Sequence, residues 1–187
     1  SAKSITEYDS MSILSEAGIN AQSGILTQSP EEAVAAGRSF ASAVALKIQS
    51  PDIPHKSEAG GVILNITGDN DIKKAFNKIE KKIAADFSTA TIQGILVQEM
   101  SKTGLEIILG ISNKDGFGPI LMVGFGGVNV EKYKDVVFAP VPIDAQGGYE
   151  LIQKLKSAPL LNEEQYDIDS LTSLMASLSD FAQISCE

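Results

Sequence analysis

The sequence predicts an α+β fold made of two α/β lobes. In the first half of the chain, segments with helical periodicity alternate with short apolar strands, whereas strands cluster in the second half. This change of order favours two α+β lobes over a single doubly wound sheet. The length of 187 residues suits two small lobes, and hydrophobic residues make up 43% of the chain, enough for an ordinary core.

The composition excludes some classes of protein and leaves others open. The formal net charge is −9, which argues against a nucleic-acid partner because such surfaces usually need a basic face. A local group of lysines can still bind a small anionic ligand. The sequence shows no signal peptide and no stretch near the roughly 20 apolar residues that span a bilayer. The single cysteine, Cys186, fits a reducing cytoplasm, which is the location we expect.

Three helices are predicted in the first half from capping residues and apolar spacing. Residues 4–18 form the first, with Ser4 as its N-cap and Glu7 completing a capping box. The second covers 29–42 and begins with the sequence Ser-Pro-Glu-Glu, in which proline and the acids suit a first turn. The third covers 70–85, with apolar residues at helical spacing and lysines opposite.

Strands and two further helices complete the predicted order of elements. The strands are expected at 19–27, 44–48, 61–66, 94–100, 106–112, 118–123 and 136–141. The helices are expected at 149–155 and 170–184, and Asp169 or Ser170 is the expected cap of the last one. We place the lobe boundary so that the first lobe covers 4–98 and the second covers 99–187.

Residues 44–64 predict two strands joined by a loop that is rich in hydrogen-bond donors. The loop holds Lys56, Ser57, the adjacent Gly60 and Gly61, and two prolines. Such a loop suggests a clamp over an anion, most plausibly phosphate, with backbone N–H groups freed by the glycines as donors. The same glycines also fit a tight turn between strands.

Two residues of this stretch are candidates for chemistry. Lys47 interrupts an apolar strand, so it either points outward from a half-buried strand or directs its charge into a cleft at a phosphate. His55 is the only histidine and precedes Lys56. A neutral imidazole nitrogen is a competent nucleophile near neutral pH. The alternative is a surface histidine without a function.

The string S-P-D-I-P-H-K-S-E-A-G-G-V closely resembles the ATP-grasp domain of the ADP-forming acyl-CoA synthetases. Five further motifs follow in the same order and spacing: V-Q-E-M, E-I-I-L-G, D-G-F-G-P, G-F-G-G-V and E-K-Y-K-D. Together they identify the chain as a member of this family over roughly residues 10–187. The resemblance implies an ATP-grasp fold in which the nucleotide cleft lies between the two lobes, with ATP or ADP and Mg²⁺ as cofactors. It also implies that Lys56, Ser57, Gly60 and Gly61 bind the nucleotide.

The resemblance assigns roles to five further residues. Lys47 occupies the position that contacts the nucleotide's phosphates, and His55 is the acceptor in a phosphohistidine relay. Glu99 and Met100 correspond to the hinge, where main-chain groups meet the adenine edge, so a change of the Glu99 side chain should matter little. Glu106 is expected to face the ribose; its alternative is a polar strand edge.

Acidic residues and glycines in the second half carry weaker signals. Glu131 and Asp135 are four residues apart and could present carboxylates to Mg²⁺, with Asp135 as our candidate, or they are surface acids. Gly124, Gly126 and Gly127 resemble a dinucleotide fingerprint only superficially. The fingerprint needs a helix after the turn, whereas the residue pattern here predicts a strand followed by a loop.

Two departures from the family pattern support a rival interpretation. Ala139 stands where the family usually has an arginine, whose guanidinium would neutralise phosphate charge. Family members also continue into a strand bearing D-I-N-P, which is associated with Mg²⁺, whereas this sequence ends I-S-C-E. We therefore expect a second lobe truncated before the final strand. The rival is a degenerate nucleotide-binding regulatory or interaction module without phosphoryl transfer.

The function implied by the resemblance is one half of an acid–thiol ligase. The reaction is acyl-CoA + ADP + phosphate ⇌ carboxylic acid + CoA + ATP, and this chain would handle the nucleotide. CoA-binding and CoA-ligase domains, or a subunit that carries them, are the expected partners. An ATP-grasp ligase that joins an acid to an amine fits less well, because H-K-S-E-A-G-G belongs to the CoA branch.

Overall fold

A computed structural model describes residues 4–102, 104–114, 116–127 and 135–185. The chain divides into two compact units. The first contains the N-terminal residues up to Glu16 together with Asn20–Lys102, and the second contains Ala17–Ile19 together with the residues after Lys102. Cys186 and Glu131 lie outside the described residues.

The first unit is a four-stranded antiparallel sheet with three helices. Its elements in chain order are α1 (Glu7–Glu16), β1 (Ile25–Thr27), α2 (Pro30–Arg38), β2 (Val44–Gln49), β3 (Val62–Ile66), α3 (Asp69–Asp86) and β4 (Gly94–Glu99). The strand order is β1-β4-β2-β3. Strand β2 is central and pairs with β4 along its whole length, from Val44 opposite Glu99 to Gln49 opposite Gly94.

The alternation of side chains along β2 gives the sheet two different faces. Leu46 and Ile48 belong to the apolar cluster that packs against α2 and α3. Successive side chains of a strand point to opposite faces, so Lys47 and Gln49 lie on the other face. Helix α1 covers that face, because the Tyr8 N–H donates to Gln49 Oε1 at 3.1 Å.

The predicted elements of the first unit are confirmed in type, and several of their ends are corrected. Helix α1 begins at Glu7, because Thr6 rather than Ser4 caps it: Thr6 Oγ1 accepts from the Asp9 N–H at 3.3 Å and donates to Asp9 Oδ2 at 2.8 Å. Ser29 is confirmed as a cap, since its hydroxyl accepts from the Glu32 N–H at 3.2 Å.

The strand predicted at 19–27 shrinks to Ile25–Thr27. Before β1, Gln22 contacts β4 through hydrogen bonds that involve side chains instead of through strand pairing. Its Nε2 donates to the Glu99 carbonyl at 2.5 Å, and its carbonyl accepts from Gln98 Nε2 at 3.2 Å.

In the part of the chain that the structure describes, the second unit has a three-stranded antiparallel sheet and two helices. Its elements are β5 (Ile107–Lys114), β6 (Gly118–Phe125), β7 (Val136–Pro140), α4 (Ala145–Ile152), a 3₁₀ turn (Ala158–Leu160) and α5 (Ile168–Ser185). The strand order is β5-β6-β7. Leu121 and Val123 on β6 are buried against Leu151, Ile152 and Met175 of the helices. One face of this sheet is therefore the core of the unit.

Both helices of the second unit begin earlier than the sequence predicts. Asp144 caps α4, since its Oδ1 accepts from the Gly147 N–H at 2.8 Å. Asp167 caps α5, since its Oδ1 accepts from the Ser170 N–H at 2.9 Å; Asp169 and Ser170 themselves are not the cap. None of the described helices is long and apolar enough to cross a membrane.

The cap of α1 gives a test of the fold. Thr6→Ala should lower the free energy of unfolding by about 1 kcal/mol, because it removes the acceptor of the Asp9 N–H from a buried position. Ser4→Ala should leave it unchanged, and Thr6→Ser should retain most of it. Urea unfolding of the three variants measures the difference. An equal loss in Ser4→Ala would contradict the assignment of the cap.

Candidate functional site

The loop between β2 and β3 folds back on itself through main-chain hydrogen bonds. The Ala59 N–H donates to the His55 carbonyl at 3.1 Å, the Gly60 N–H to the Ser57 carbonyl at 3.1 Å, and the Gly61 N–H to the Lys56 carbonyl at 2.8 Å. The loop is thereby a compact turn that connects two antiparallel strands.

The structure explains why positions 60 and 61 of this loop are both glycine. Gly60 has a φ of +72°, which disfavours residues with a Cβ. A Cβ on Gly61 would lie 2.3 Å from Ile48 Cγ2, inside the core. The prediction that glycine N–H groups are free to hold an anion does not describe this conformation, because both donate within the loop. The N–H groups of residues 56–58 have no acceptor among the described residues.

Glu7 joins the two lysines of the stretch. Lys47 Nζ lies 2.7 Å from Glu7 Oε1, and Lys56 Nζ lies 2.5 Å from Glu7 Oε2. The three side chains are between 21% and 29% exposed, so the group is half-buried. The two ammonium groups converge on one carboxylate, one oxygen each. Sequence reasoning missed this contact because Glu7 also fits a capping box, and nothing local marks partners 40 and 49 residues away.

The environment of Glu7 keeps it ionised. Burial opposes the charged form, but the hydrogen bonds and charges of Lys47 and Lys56 outweigh it and hold the pKa of Glu7 below its usual value. A lowered pKa in the folded state means that this contribution to stability is present at neutral pH. It is lost as the pH falls through the lowered pKa.

His55 and Ser57 lie at the exposed side of the loop. The imidazole makes no hydrogen bond or ion pair with any residue that the structure describes. It follows Pro54 and directly precedes Lys56, whose ammonium group contacts Glu7. The arrangement offers a solvent-accessible imidazole on a loop that also carries a positive charge.

Glu99 and Met100 are engaged in the first unit, and the Glu99 side chain does more than the sequence indicates. Glu99 Oε1 accepts from the N–H groups of Ala41 at 3.1 Å and Ser42 at 3.0 Å, and from the Ser42 hydroxyl at 3.0 Å. The Met100 N–H donates to the Ala43 carbonyl at 2.8 Å. The expectation that the Glu99 side chain matters little is therefore corrected. These bonds also explain why residues 99–102 group with the first unit.

Glu106 lies in the second unit, directly before β5. Its side chain is exposed, and its carbonyl accepts from the Gly126 N–H at 2.6 Å. A Cβ on Gly126 would lie 2.8 Å from Glu106 Cβ, and one on Gly127 would lie 3.6 Å from a Glu106 carboxylate oxygen. The glycines after β6 therefore allow close approach to Glu106. The segment that would decide whether a helix follows them lies outside the described residues.

Asp135 has a structural role that competes with metal binding. Its Oδ1 accepts from the Lys156 N–H at 3.0 Å and its Oδ2 from the Ser157 N–H at 2.7 Å. Burial opposes ionisation, but the hydrogen bonds from Ser157 and Lys156 outweigh it, so the pKa of Asp135 lies below its usual value. Each oxygen thus accepts one main-chain hydrogen bond, and the assignment of Asp135 as a Mg²⁺ ligand stays a prediction. Among the described residues no group of three or more His, Cys, Asp or Glu side chains could hold a metal ion.

Position 139 faces the core of the second unit. Ala139 lies opposite Leu121 in the sheet and packs against the apolar cluster formed with α4 and α5. An arginine at this position would extend from the face of the sheet that packs against the helices. The loss of the arginine therefore carries less weight for phosphate binding than the sequence suggests. The opposite face carries the row Gly110, Met122 and Phe138, of which Phe138 is 61% exposed.

The structure thus distributes the candidate residues over two units. Strand β2, its loop and the end of β4 bring eight of them into the first unit: Lys47, His55, Lys56, Ser57, Gly60, Gly61, Glu99 and Met100. The remaining two, Glu106 and Asp135, belong to the second unit. In the first unit, the feature with the chemistry of an anion site is the lysine pair beside the loop that carries His55.

The fold combines helices with two antiparallel sheets, and a lysine-bearing loop joins two strands of the first unit. The sequence matches the ATP-grasp domain over residues 1–187. The chain therefore belongs to the ATP-grasp family, in the branch that includes the beta subunits of ADP-forming acetate–CoA ligases. The resemblance and the fold class predicted from the sequence are confirmed.

Curated relatives show how much of a complete enzyme the chain represents. It is 36% identical to the ADP-forming 4-hydroxybutyrate–CoA ligase of Nitrosopumilus maritimus, over 96% of this chain and 27% of that protein. It is 32% identical to the beta subunit of acetate–CoA ligase I of Pyrococcus furiosus, over 95% of this chain and 78% of the subunit. The chain thus spans about a quarter of the first curated relatives it matches.

Solved structures of an acetyl-coenzyme A synthetase from Candidatus Korarchaeum cryptofilum are similar throughout. One, in complex with coenzyme A and Ca-AMPCP, has a TM-score of 0.91 and 34% identity, covering 97% of this chain and 81% of that chain. Another, with coenzyme A and Mg-AMPPCP, has a TM-score of 0.79 and 31% identity, covering 97% and 79%. Its phosphohistidine segment points towards the nucleotide-binding site.

The contacts of Glu99 give a first test of this site. Glu99→Ala should lower the free energy of unfolding by about 1–2 kcal/mol, because the N–H groups of Ala41 and Ser42 lose their acceptor. Glu99→Gln keeps an amide oxygen and should recover most of that loss. Chemical denaturation measures both variants, and an unchanged midpoint in Glu99→Ala would contradict the structural role.

The contacts of Asp135 give a second test. Asp135→Asn should destabilise the chain by about 1–2 kcal/mol, because an amide NH₂ would face one of the two N–H donors. Thermal unfolding measures this loss, and titration with Mg²⁺ tests the proposed metal role separately. Weaker Mg²⁺ binding is the result expected of a metal ligand. An unchanged Mg²⁺ dependence of nucleotide binding at lowered stability would leave Asp135 a structural role alone.

Proposed function

We propose that this chain is the nucleotide-handling part of an ADP-forming acyl-CoA synthetase. It would pass phosphate between a phosphohistidine and ADP or ATP while the complete enzyme interconverts acid, CoA and ATP with acyl-CoA, ADP and phosphate. The observation that carries the proposal is the convergence of the Lys47 and Lys56 ammonium groups beside the loop that bears His55. The similarity to ADP-forming ligases supports it.

The phosphoryl step needs little covalent chemistry from the protein. In the direction of ATP synthesis, the bond between phosphorus and a ring nitrogen of His55 breaks, and the imidazole keeps its electron pair. A terminal oxygen of ADP forms the new bond to phosphorus. Catalysis of such transfers is mostly positioning and charge neutralisation. Lys47 and Lys56 would neutralise phosphoryl oxygens, and Ser57 and the N–H groups of 56–58 would donate to them.

Three further residues carry the proposed contacts to the rest of the nucleotide. Glu106 is exposed and its carboxylate makes no hydrogen bond to a described residue, which suits the ribose hydroxyls. At Glu99 and Met100 the main-chain groups are partly used, and the Met100 carbonyl is the one we assign to the adenine edge. Glycines 60 and 61 would act by shaping the loop.

The cofactor set of the proposal is ATP or ADP with Mg²⁺. The two lysines fit a polyphosphate, because each ammonium group has N–H donors beyond the one that contacts Glu7. Mg²⁺ would neutralise phosphate charge when bound. Asp135 remains the residue proposed to hold it, because each of its oxygens accepts one main-chain hydrogen bond and keeps a second lone pair.

The other half of the reaction requires a partner. Both described sheets are antiparallel, and the described residues contain no parallel βαβ unit that would suit CoA. CoA-binding and CoA-ligase domains, on the same protein or on another subunit, would supply CoA binding and the first phosphohistidine. The proposed location is the cytoplasm, with no nucleic acid or membrane among the partners.

Labelling of the histidine tests the proposal. The chain, together with its CoA-ligase part, is incubated with γ-labelled ATP and Mg²⁺, and the label is located by mass spectrometry of peptides kept at alkaline pH. We expect an acid-labile phosphate on His55 that is absent in His55→Ala. Glu58→Gln, an exposed neighbour in the same loop, should keep the label.

The rival function makes the opposite prediction in the same experiment. A degenerate regulatory module would bind ATP, measured by calorimetry, without labelling His55 in any combination. That outcome would refute phosphoryl transfer by this chain. Ala139 is the feature that favours the rival, although its position on the core face of the second unit weakens that argument.

A further inference from the structure

Glu7 is held at the proposed phosphate site by a fixed element. Helix α1 is attached to the sheet by the bond from the Tyr8 N–H to Gln49 Oε1, and Gln49 is fully buried. A second attachment is the bond from Gln93 Nε2 to Asp9 Oδ2 at 2.9 Å. The Glu7 carboxylate therefore has a defined position on the face of the sheet where Lys47 emerges.

Glu7 also links two separate parts of the site. Lys47 belongs to β2, whereas Lys56 belongs to the turn that closes on Gly61. Each lysine contacts its own oxygen of Glu7. The carboxylate thus fixes the distance between the two ammonium groups and attaches the turn to the sheet.

The lysines remain available to a ligand while they contact Glu7. An ammonium group has three N–H donors, and Glu7 accepts one from each lysine. Two donors on each remain for other oxygens. The three charges sum to +1, so Glu7 halves the positive charge that the lysine pair would otherwise present to an anion.

We propose that Glu7 is a positioning residue for phosphoryl transfer, holding the Lys47 and Lys56 ammonium groups so that both can contact one phosphoryl group. This inference rests on the proposed function and names a residue that the family motifs of the loop do not include. The inference assigns two opposite effects to one carboxylate. Its geometry favours transfer, and its charge weakens the binding of anions.

The variant Glu7→Gln separates the two effects. Its side chain offers one oxygen and an NH₂ group, so it cannot give each lysine an oxygen of its own. The site also gains one positive charge. We expect the dissociation constant for ADP to fall about three- to tenfold. In the same variant, relative to the unchanged protein, the single-turnover rate of phosphate transfer between His55 and ADP should fall at least about tenfold, because the ammonium groups are misplaced.

Glu31→Gln is the matched control. Glu31 also pairs with a lysine, Lys73, at 2.9 Å, but it lies on α2 and the pair is exposed. The change removes the same charge and the same kind of ion pair outside the loop. Both the ADP dissociation constant and the transfer rate should stay within about twofold of the unchanged protein.

Glu7→Asp keeps the charge and shortens the reach by one methylene. It should leave the ADP dissociation constant within about twofold and still slow the transfer, because one carboxylate no longer reaches both lysines. Both variants are assayed in the complete enzyme, with circular dichroism as the check of folding. If Glu7→Gln does not fold, Glu7→Asp decides the question.

Each outcome distinguishes this inference from the proposed function. A normal transfer rate in Glu7→Asp or Glu7→Gln overturns the positioning role. Weaker ADP binding in folded Glu7→Gln overturns the effect of its charge. If the unchanged enzyme does not label His55, the proposed function fails, and the ADP titration alone then tests whether Glu7 shares the lysines with a phosphate.

Discussion

The first unit depends on a positive charge in the middle of its central strand. The alternation of β2 buries Leu46 and Ile48 against the helices, so Lys47 must leave the sheet on the opposite face. Helix α1 covers that face, and a half-buried ammonium group under a helix needs a partner. Glu7 provides it, and the same carboxylate holds Lys56. The position of α1, the conformation of the loop and the chemistry of the site are therefore coupled.

Packing and main-chain hydrogen bonds explain the conformation of the loop. Gly61 has no room for a Cβ because Ile48 fills the space beside it. The N–H groups of Gly60 and Gly61 close the turn, which leaves the side chains of His55 and Ser57 outside. A turn that its own main-chain hydrogen bonds close can present an imidazole to a partner without changing its conformation in each transfer.

Polar side chains with an apparent role in binding can be required by the fold. Glu99 and Asp135 each accept from backbone N–H groups that would otherwise lack an acceptor. Both occur in motifs shared with ATP-grasp enzymes, yet their observed contacts are structural. Presence in a functional motif is thus compatible with a role in stability alone.

The family, the order of the elements and the stretch that carries the candidate site could be predicted from the sequence alone. Those features follow from local patterns: apolar spacing in α3, Ser29 before Pro30, and the H-K-S-E-A-G-G string. The folded chain was needed to find that Asp135 accepts from two main-chain N–H groups, that Ala139 faces the core and that Glu7 lies between two lysines. Each of these depends on contacts between residues that are distant in the sequence. The Thr6 cap of α1, by contrast, is a local contact with Asp9 that the spacing of the two residues could have indicated. Side chains with the same chemistry can satisfy a helix end, a backbone donor or a ligand, and the folded neighbours determine which.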